Sequence, residues 1–415
     1  MDKRLIPLLF LLTSTSTLLY AQQAQPVAAL HNASFTLQPA GNGIGGLWKT
    51  GDRYLTNYVR KGKVFGDVVV RFHEAGGTLD SLKKTATDFQ QDGQSIGNSD
   101  PSADHPHPLL LSQVFNLKGE KLFWTITLAN EAKVPLTIED LALPLAYNSG
   151  GGENPTEIFE QRVIKHHFIS GNNSFLFWER PTGVGPYLVL LPLAGTSLEY
   201  FSTNAAGAGR GAFQAFIHAA HTSHLETRGT WRQPVSTATI PAHGRRVEHF
   251  VFRWAKDYED IRRILVEEGL IDIRIMPGMT IPTNLDATVA LNTHQKICAL
   301  LPEFPAGTSI TPLPGNAPYQ RYKIKFSHPG ENRITIQYGD HYKTYLEFFV
   351  TEPLETLYKK RAAFIVNRQQ HKDPSKWYDG LFSIYDMKNH TLRGPDNPDY
   401  FDTSRLSYVL TCDDP

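Results

Sequence analysis

The sequence predicts a mainly β chain: a large antiparallel β-sandwich, then an immunoglobulin-like β-sandwich, then a short C-terminal helical segment. Three observations predict it. Short runs of β-branched and aromatic residues alternate at period two between Gly, Pro and Asn punctuation, the pattern of strands with one buried face. Sustained helical periodicity is absent before residue 257. No strand–helix–strand rhythm recurs, which argues against a parallel α/β sheet and for packed antiparallel layers.

Residues 1–21 read as a secretory signal peptide. Met1-Asp2-Lys3-Arg4 is a basic start, residues 5–20 are apolar, and Leu19-Tyr20-Ala21 before Gln22-Gln23 has the small residue of a cleavage site. The run is too short for a permanent span, and no later stretch supplies the roughly 20 apolar residues that one needs. The expected location is periplasmic or secreted, with no membrane span after cleavage.

Residues 22–256 form the large β-sandwich. Its strands are expected at 34–37, 66–72, 122–128, 136–138, 174–178, 187–191 and 246–254. Residues 123–145, with Asn130 and Glu131 at the turn, read as two adjacent strands joined by a loop. Residues 257–270 are a linking helix: Asp257 is the N-cap, Gly269 the stop, and Ile261, Ile264 and Leu265 share one face. Residues 271–351 are the immunoglobulin-like module, with strands at 287–291, 319–326, 333–338 and 345–350. Residues 352–415 are helix and loops. Pro353 opens a helix expected over 354–370, where its missing N–H costs nothing. Leu354, Leu357, Tyr358, Phe364 and Ile365 give that helix an apolar stripe.

Lys plus Arg and Asp plus Glu both number 41, so no net field recruits nucleic acid or an anionic membrane. A neutral partner, or one recognised by local geometry, fits better. Cys298 and Cys412 are too few for a disulfide scaffold. Export makes their pairing chemically possible; two buried thiols acting as small hydrophobes is the other reading.

Several motifs have plain explanations. Gly41-Asn42-Gly43-Ile44-Gly45-Gly46 matches a dinucleotide fingerprint, but no helix follows, so it reads as a glycine-rich β-turn. His105 and His107, His166 and His167, and the set His218, His221 and His224 read as surface loop histidines, not metal ligands, because no Cys and no H-E-x-x-H pattern accompanies them. Neither a metal nor another cofactor is expected. Glu153 sits in a glycine-rich connection. No nucleophile elbow, P-loop or zinc signature appears.

The last forty or so residues are different. Trp377, Tyr378, Asp379, Tyr400, Asp402 and Arg405 mix flat rings with hydrogen-bonding side chains. That composition suits a carbohydrate pocket, where rings stack on sugar faces and polar groups bond hydroxyls. Glycoside cleavage needs two carboxyl groups flanking the scissile bond. Adjacent Asp413 and Asp414 point differently, so one of them would be a catalytic member whose partner lies beyond residue 415. The bland alternative is an interdomain loop held by Asp–Arg pairs and Tyr packing.

The layout, with the strings Trp377-Tyr378-Asp379-Gly380-Leu381-Phe382-Ser383-Ile384-Tyr385-Asp386 and Leu406-Ser407-Tyr408-Val409-Leu410-Thr411-Cys412-Asp413-Asp414-Pro415, resembles exported bacterial proteins of the six-hairpin (α/α-toroid) glycosidase type. Some of those carry only the label of a domain of unknown function. The resemblance implies a secreted or periplasmic glycoside hydrolase-like protein acting on poly- or oligosaccharide. The sandwich would support the active site, and residues 352–415 would begin an incomplete catalytic α/α domain whose remainder is missing. The piece alone is then expected to be inactive. The alternative is a non-catalytic carbohydrate-binding or cell-surface adhesion protein.

Overall fold

A computed structural model describes residues 29–394, except 42, 84–85, 100–107, 150–153, 194, 204–212, 227–230 and 316. It is mainly β, as the alternation predicts, with two sandwiches in sequence and a C-terminal helix. Four α-helices are described: α1 (Pro155–Gln161), α2 (Ala220–Glu226), α3 (Tyr258–Glu267) and α4 (Leu354–Phe364).

In the first sandwich, eight described strands make one sheet. Its order is Ile164–Phe168, Phe175–Glu179, Tyr187–Leu193, Arg245–Ala255, Lys121–Asn130, Leu109–Lys118, Ala86–Gln91 and Gln94–Ser99. The neighbours are antiparallel except Ala86–Gln91, which runs parallel to Leu109–Lys118. The facing sheet runs Tyr200–Ser202, Gln214–Ala219, Leu136–Pro144, Val69–Glu74 and Asp80–Leu82, with Ala238–Ile240 paired to the start of Leu136–Pro144. Alternation sets the inner faces. Leu122, Trp124, Ile126 and Leu128 from one sheet meet Val70, Phe72, Leu136 and Ile138 from the other in a single core. Gln113 is buried in that core and fully engaged: its amide donates to Gly66 O and Thr87 Oγ1, both at 2.9 Å, and it accepts from Trp124 Nε1 at 2.8 Å.

One expectation is corrected here. Lys121–Asn130 and Leu136–Pro144 are not partners; they lie in opposite sheets, and the loop between them crosses the sandwich. Asn130 holds that crossing by donating to Val134 O, Ile240 O and Pro241 O at 2.9–3.0 Å. Of the glycine-rich run, Gly41 follows strand Phe35–Ala40 at a turn, and Gly43–Gly46 belong to its antiparallel partner Gly43–Lys49. A side chain at Gly43 would lie 2.2 Å from Phe65 O.

Asp257 caps α3 by accepting from the Asp260 N–H at 2.9 Å. The buried face of α3, Ile261, Ile264 and Leu265, packs on Val189, Leu191 and Val251 on the outside of the eight-stranded sheet. The second sandwich has two four-stranded sheets. One is Asp272–Met276, Ala287–Asn292, Gln320–Phe326 and Thr308–Leu313; the other is Thr280–Pro282, Tyr342–Thr351, Gly330–Tyr338 and Ile297–Pro302. Val289, Leu291, Ile324, Ile334, Ile336 and Phe348 fill the space between them.

The two sandwiches are tied at one end of the first. Asn173 Nδ2 donates to Ile271 O (3.1 Å) and Asn173 Oδ1 accepts from Ile271 N (2.6 Å). Ser170 Oγ accepts from Tyr345 N at 2.9 Å, and Asn172 exchanges bonds with the Lys343 main chain at 3.0 Å. Arg232 reaches Glu303, Glu331 and Glu347 on the second sandwich.

The C-terminal helix is shorter than expected. The α-helical turns of α4 end at Phe364, and residues Ile365–Gln369 continue as a wider π-helical turn. None of the residues of α4 is buried, and Leu354, Leu357 and Tyr358 are exposed.

Candidate functional site

Of the residues singled out in the C-terminal strip, Trp377, Tyr378 and Asp379 are described; Tyr400, Asp402, Arg405, Asp413 and Asp414 lie outside the described residues. Trp377 is 75% exposed, whereas Tyr378 is buried, its ring edge-on to Trp377 at 5.3 Å and to His371 at 4.7 Å. Asp379 is exposed. The three neighbours therefore alternate out, in, out. Just beyond them Asp386 accepts from Arg393 and from Asn389, and these bonds hold its carboxyl far below the usual carboxylate range.

The histidines divide. His105 and His107 lie outside the described residues, as does Glu153. His218 is not a surface loop residue: it is buried on Gln214–Ala219, with Nδ1 2.9 Å from Ser236 Oγ, and Ser236 donates to Glu199. Burial, helped by Arg246, pushes the imidazole down to about 3, so it is neutral, while burial raises the Glu199 carboxyl. His218 Nε2 is buried without a partner. On Ile164–Phe168, His167 lies flat on Phe201 at 3.6 Å and Lys165 stands over Phe213 at 4.0 Å; burial lowers both groups. Among the described residues no group of three His, Cys, Asp or Glu side chains could hold a metal. Cys298 is exposed, contrary to the reading of buried thiols; Cys412 lies outside the described residues.

The end of the first sandwich away from the junction carries a site that the sequence reading missed. Strand Phe175–Glu179 starts beside Asn173 at the junction and delivers Arg180 to this opposite end. Arg180 is 1% exposed, pairs with Asp52 at 2.9 Å, and also donates to Thr56 Oγ1 and Gly185 O. Its guanidinium lies 4.4 Å from the Tyr54 ring centroid, and that of Arg53 lies 4.5 Å away. Thr56 and Tyr54 are fixed to α1 through Glu160 O and the Gln161 amide, both at 2.6 Å, and Tyr58 donates to Pro186 O at 2.6 Å. The turn needs Gly51 at φ +76° and places exposed Leu55, which is not a glycine, at φ +51°. Such left-handed backbone is costly for a side chain and concentrates at functional loops.

These loops enclose an open cleft of about 390 Å³, lined among others by Lys49, Asp52, Arg53, Tyr54, Val184 and Pro186. That size is within the range of small-molecule sites. A second cleft, of about 440 Å³ beside α3, is walled by Arg262, Arg274, Asp272 and Tyr319. Its polar groups are spent on one another: Asp272 accepts from Arg262, Arg274 and Tyr319, and Arg274 also pairs with Glu259. In the Tyr54 cleft the cations are held without carboxylates: Lys49 Nζ donates to Ala33 O and Thr50 O at 3.5 and 3.3 Å, and Arg53 donates to the Tyr54 hydroxyl. Lys49 and Arg53 have no carboxylate within 4.0 Å among the described residues.

No curated protein matches this sequence. A solved polysaccharide lyase superposes with a TM-score of 0.64 at 16% identity, over 90% of this chain and 53% of that one. This chain therefore spans about half the length of that lyase, and at this identity the likeness is one of fold. A galactose mutarotase-related enzyme from Lactobacillus acidophilus gives a TM-score of 0.31 at 7% identity, over 56% of this chain and 98% of that one. Residues 52–393 match a family of unknown function, DUF5695, across most of the described fold, and the chain belongs to that family.

Proposed function

We propose that this chain is the β-sandwich part of an exported carbohydrate-active protein and that it holds polysaccharide at the Tyr54 cleft. The observation that carries the reading is the wall Asp52–Arg180–Tyr54–Arg53: fixed hydrogen-bonding groups and a ring beside an open cleft, within a fold shared with a polysaccharide lyase. A buried ion pair orients that wall, so little side-chain ordering is left to occur on binding. Recognition of hydroxyl-rich ligands by a few placed polar groups on a rigid scaffold is the common arrangement.

The longer protein would cleave the bound chain with groups supplied after residue 394, hydrolysis by paired carboxyl groups being the expected chemistry. Affinity electrophoresis of this chain through gels containing a panel of polysaccharides tests binding. Retardation by at least one polymer, lost on Tyr54→Ala, supports the reading; no retardation by any of them removes it. Digestion by the extended protein then distinguishes hydrolysis, which yields only new reducing ends, from elimination, which also yields the ultraviolet absorbance of an unsaturated sugar.

A further inference from the structure

We infer that the Tyr54 cleft and the turn beside it form one binding strip for an anionic glycan, its charge carried by carboxylate or sulfate groups. The inference rests on the reading of that cleft as a polysaccharide site and names the class of polymer.

Segment 49–63 contains Lys49, Arg53, Arg60, Lys61 and Lys63 against the single carboxylate Asp52, a local charge of 5 − 1 = +4 in a chain whose totals balance. Asp52 is consumed by Arg180, so it neutralises none of the five. No carboxylate of the described residues lies within 4.0 Å of any of the five cations. Glu157 on nearby α1 is taken by Arg162. Glu160 is the carboxylate there with no ion-pair partner among the described residues, and its main chain is already bound to Thr56.

The five cations are also spaced for a polymer. After the cleft the chain turns back along Gly43–Lys49: Tyr58 N donates to Leu47 O at 2.9 Å, and Phe65 and Ile44 exchange bonds at 2.7 and 2.8 Å. Lys49 and Arg53 therefore sit at one end of that strand, and the exposed turn Arg60, Lys61 and Lys63 lies toward its other end. Cations held at both ends of one extended backbone meet successive charges on a chain better than the single charge of a monosaccharide. These cations have no carboxylate partners among the described residues, so an anionic chain supplies their counter-charge.

The test uses the 415-residue chain and four probes: polygalacturonate, the same polymer after carboxyl reduction, heparin, and desulfated, carboxyl-reduced heparin. Affinities are measured by titration calorimetry at two salt concentrations. Tighter binding of an intact polymer than of its neutralised form by tenfold or more, weakening with salt, is the expected result. Polygalacturonate and heparin then report which anion is preferred. Lys61→Ala/Lys63→Ala should weaken the charged polymer several-fold and leave any neutral polymer unchanged, and Arg53→Ala should weaken the charged polymer several-fold. Equal affinity for intact and neutralised polymers overturns the anionic assignment and leaves the polysaccharide reading standing. Charge-dependent binding that ignores these variants overturns the site. No binding to these four or to any polymer of the wider panel overturns both.

Discussion

The side-chain amide of Asn173 is bonded to the main chain of Ile271 in both directions, at 3.1 and 2.6 Å, across the seam between the two sandwiches. Both residues are buried. Asn173→Ala leaves an N–H and a C=O of Ile271 orphaned, at a cost of about 2–4 kcal/mol from two unsatisfied groups. Urea denaturation followed by tryptophan fluorescence should show the lower midpoint. A midpoint equal to the parent's would mean that the seam relaxes without this pair.

Gly171 makes the same seam intolerant of a side chain. Its φ is +62°, and a Cβ there would stand 2.6 Å from Lys343 O. Gly171→Ala is expected to destabilise by more than the roughly 1 kcal/mol that left-handed backbone alone costs alanine. Gly183, at φ +69° with nothing within 4 Å, is the control: Gly183→Ala should show the backbone cost alone.

Arg180 and Asp52 are 1% and 5% exposed in their side chains. Removing one partner strands a buried charge, so Arg180→Ala should cost about 3–5 kcal/mol. Exposed Arg53 is expected to lie within about 0.5 kcal/mol of the parent on replacement by Ala. Thermal melts of the two variants separate the buried half of the cleft wall from its exposed half.

His218 gives the protein an acid limb. Its folded value lies near 3 against 6.5 for the ordinary side chain, mainly through burial, with Arg246 adding to it. Between those values the unfolded chain binds the extra proton, so stability rises with pH across the window and is lost as pH falls through it. Glu199, raised by burial, acts in the opposite sense just above the usual carboxylate range. His218→Gln removes the histidine contribution. The stability gap between parent and variant should therefore narrow steadily from pH 7 towards pH 3, read as urea midpoints at fixed temperature. A constant gap would place the His218 proton equilibrium at its ordinary value.

Strand existence was legible because alternation is local: residues 122–128 and 246–254 were expected as strands, and they are Lys121–Asn130 and Arg245–Ala255. Partnership was not. Burial period says which face of 123–145 turns inward, but not that the chain crosses to the opposite sheet at Asn130. The α3 boundaries were legible from Asp257 and Gly269 because capping acts over one turn. The length of α4 was not, because its apolar stripe carries no buried contact to reinforce the α-helical pitch. The cleft escaped for a different reason: Asp52 and Arg180 are 128 residues apart and each is unremarkable alone. The imbalance of five cations and one carboxylate over 49–63 was the signal in the sequence that pointed there.

Phe175–Glu179 is five residues long, with Asn173 two positions before it and Arg180 immediately after it. Its neighbours Ile164–Phe168 and Tyr187–Leu193 grip it on both sides through antiparallel ladders. Tension applied to the second sandwich thus loads these ladders lengthwise, where all their bonds share the force at once. The seam at Asn173 and the Tyr54 cleft are the two ends of one five-residue strap, and a load on either reaches the other along a single strand.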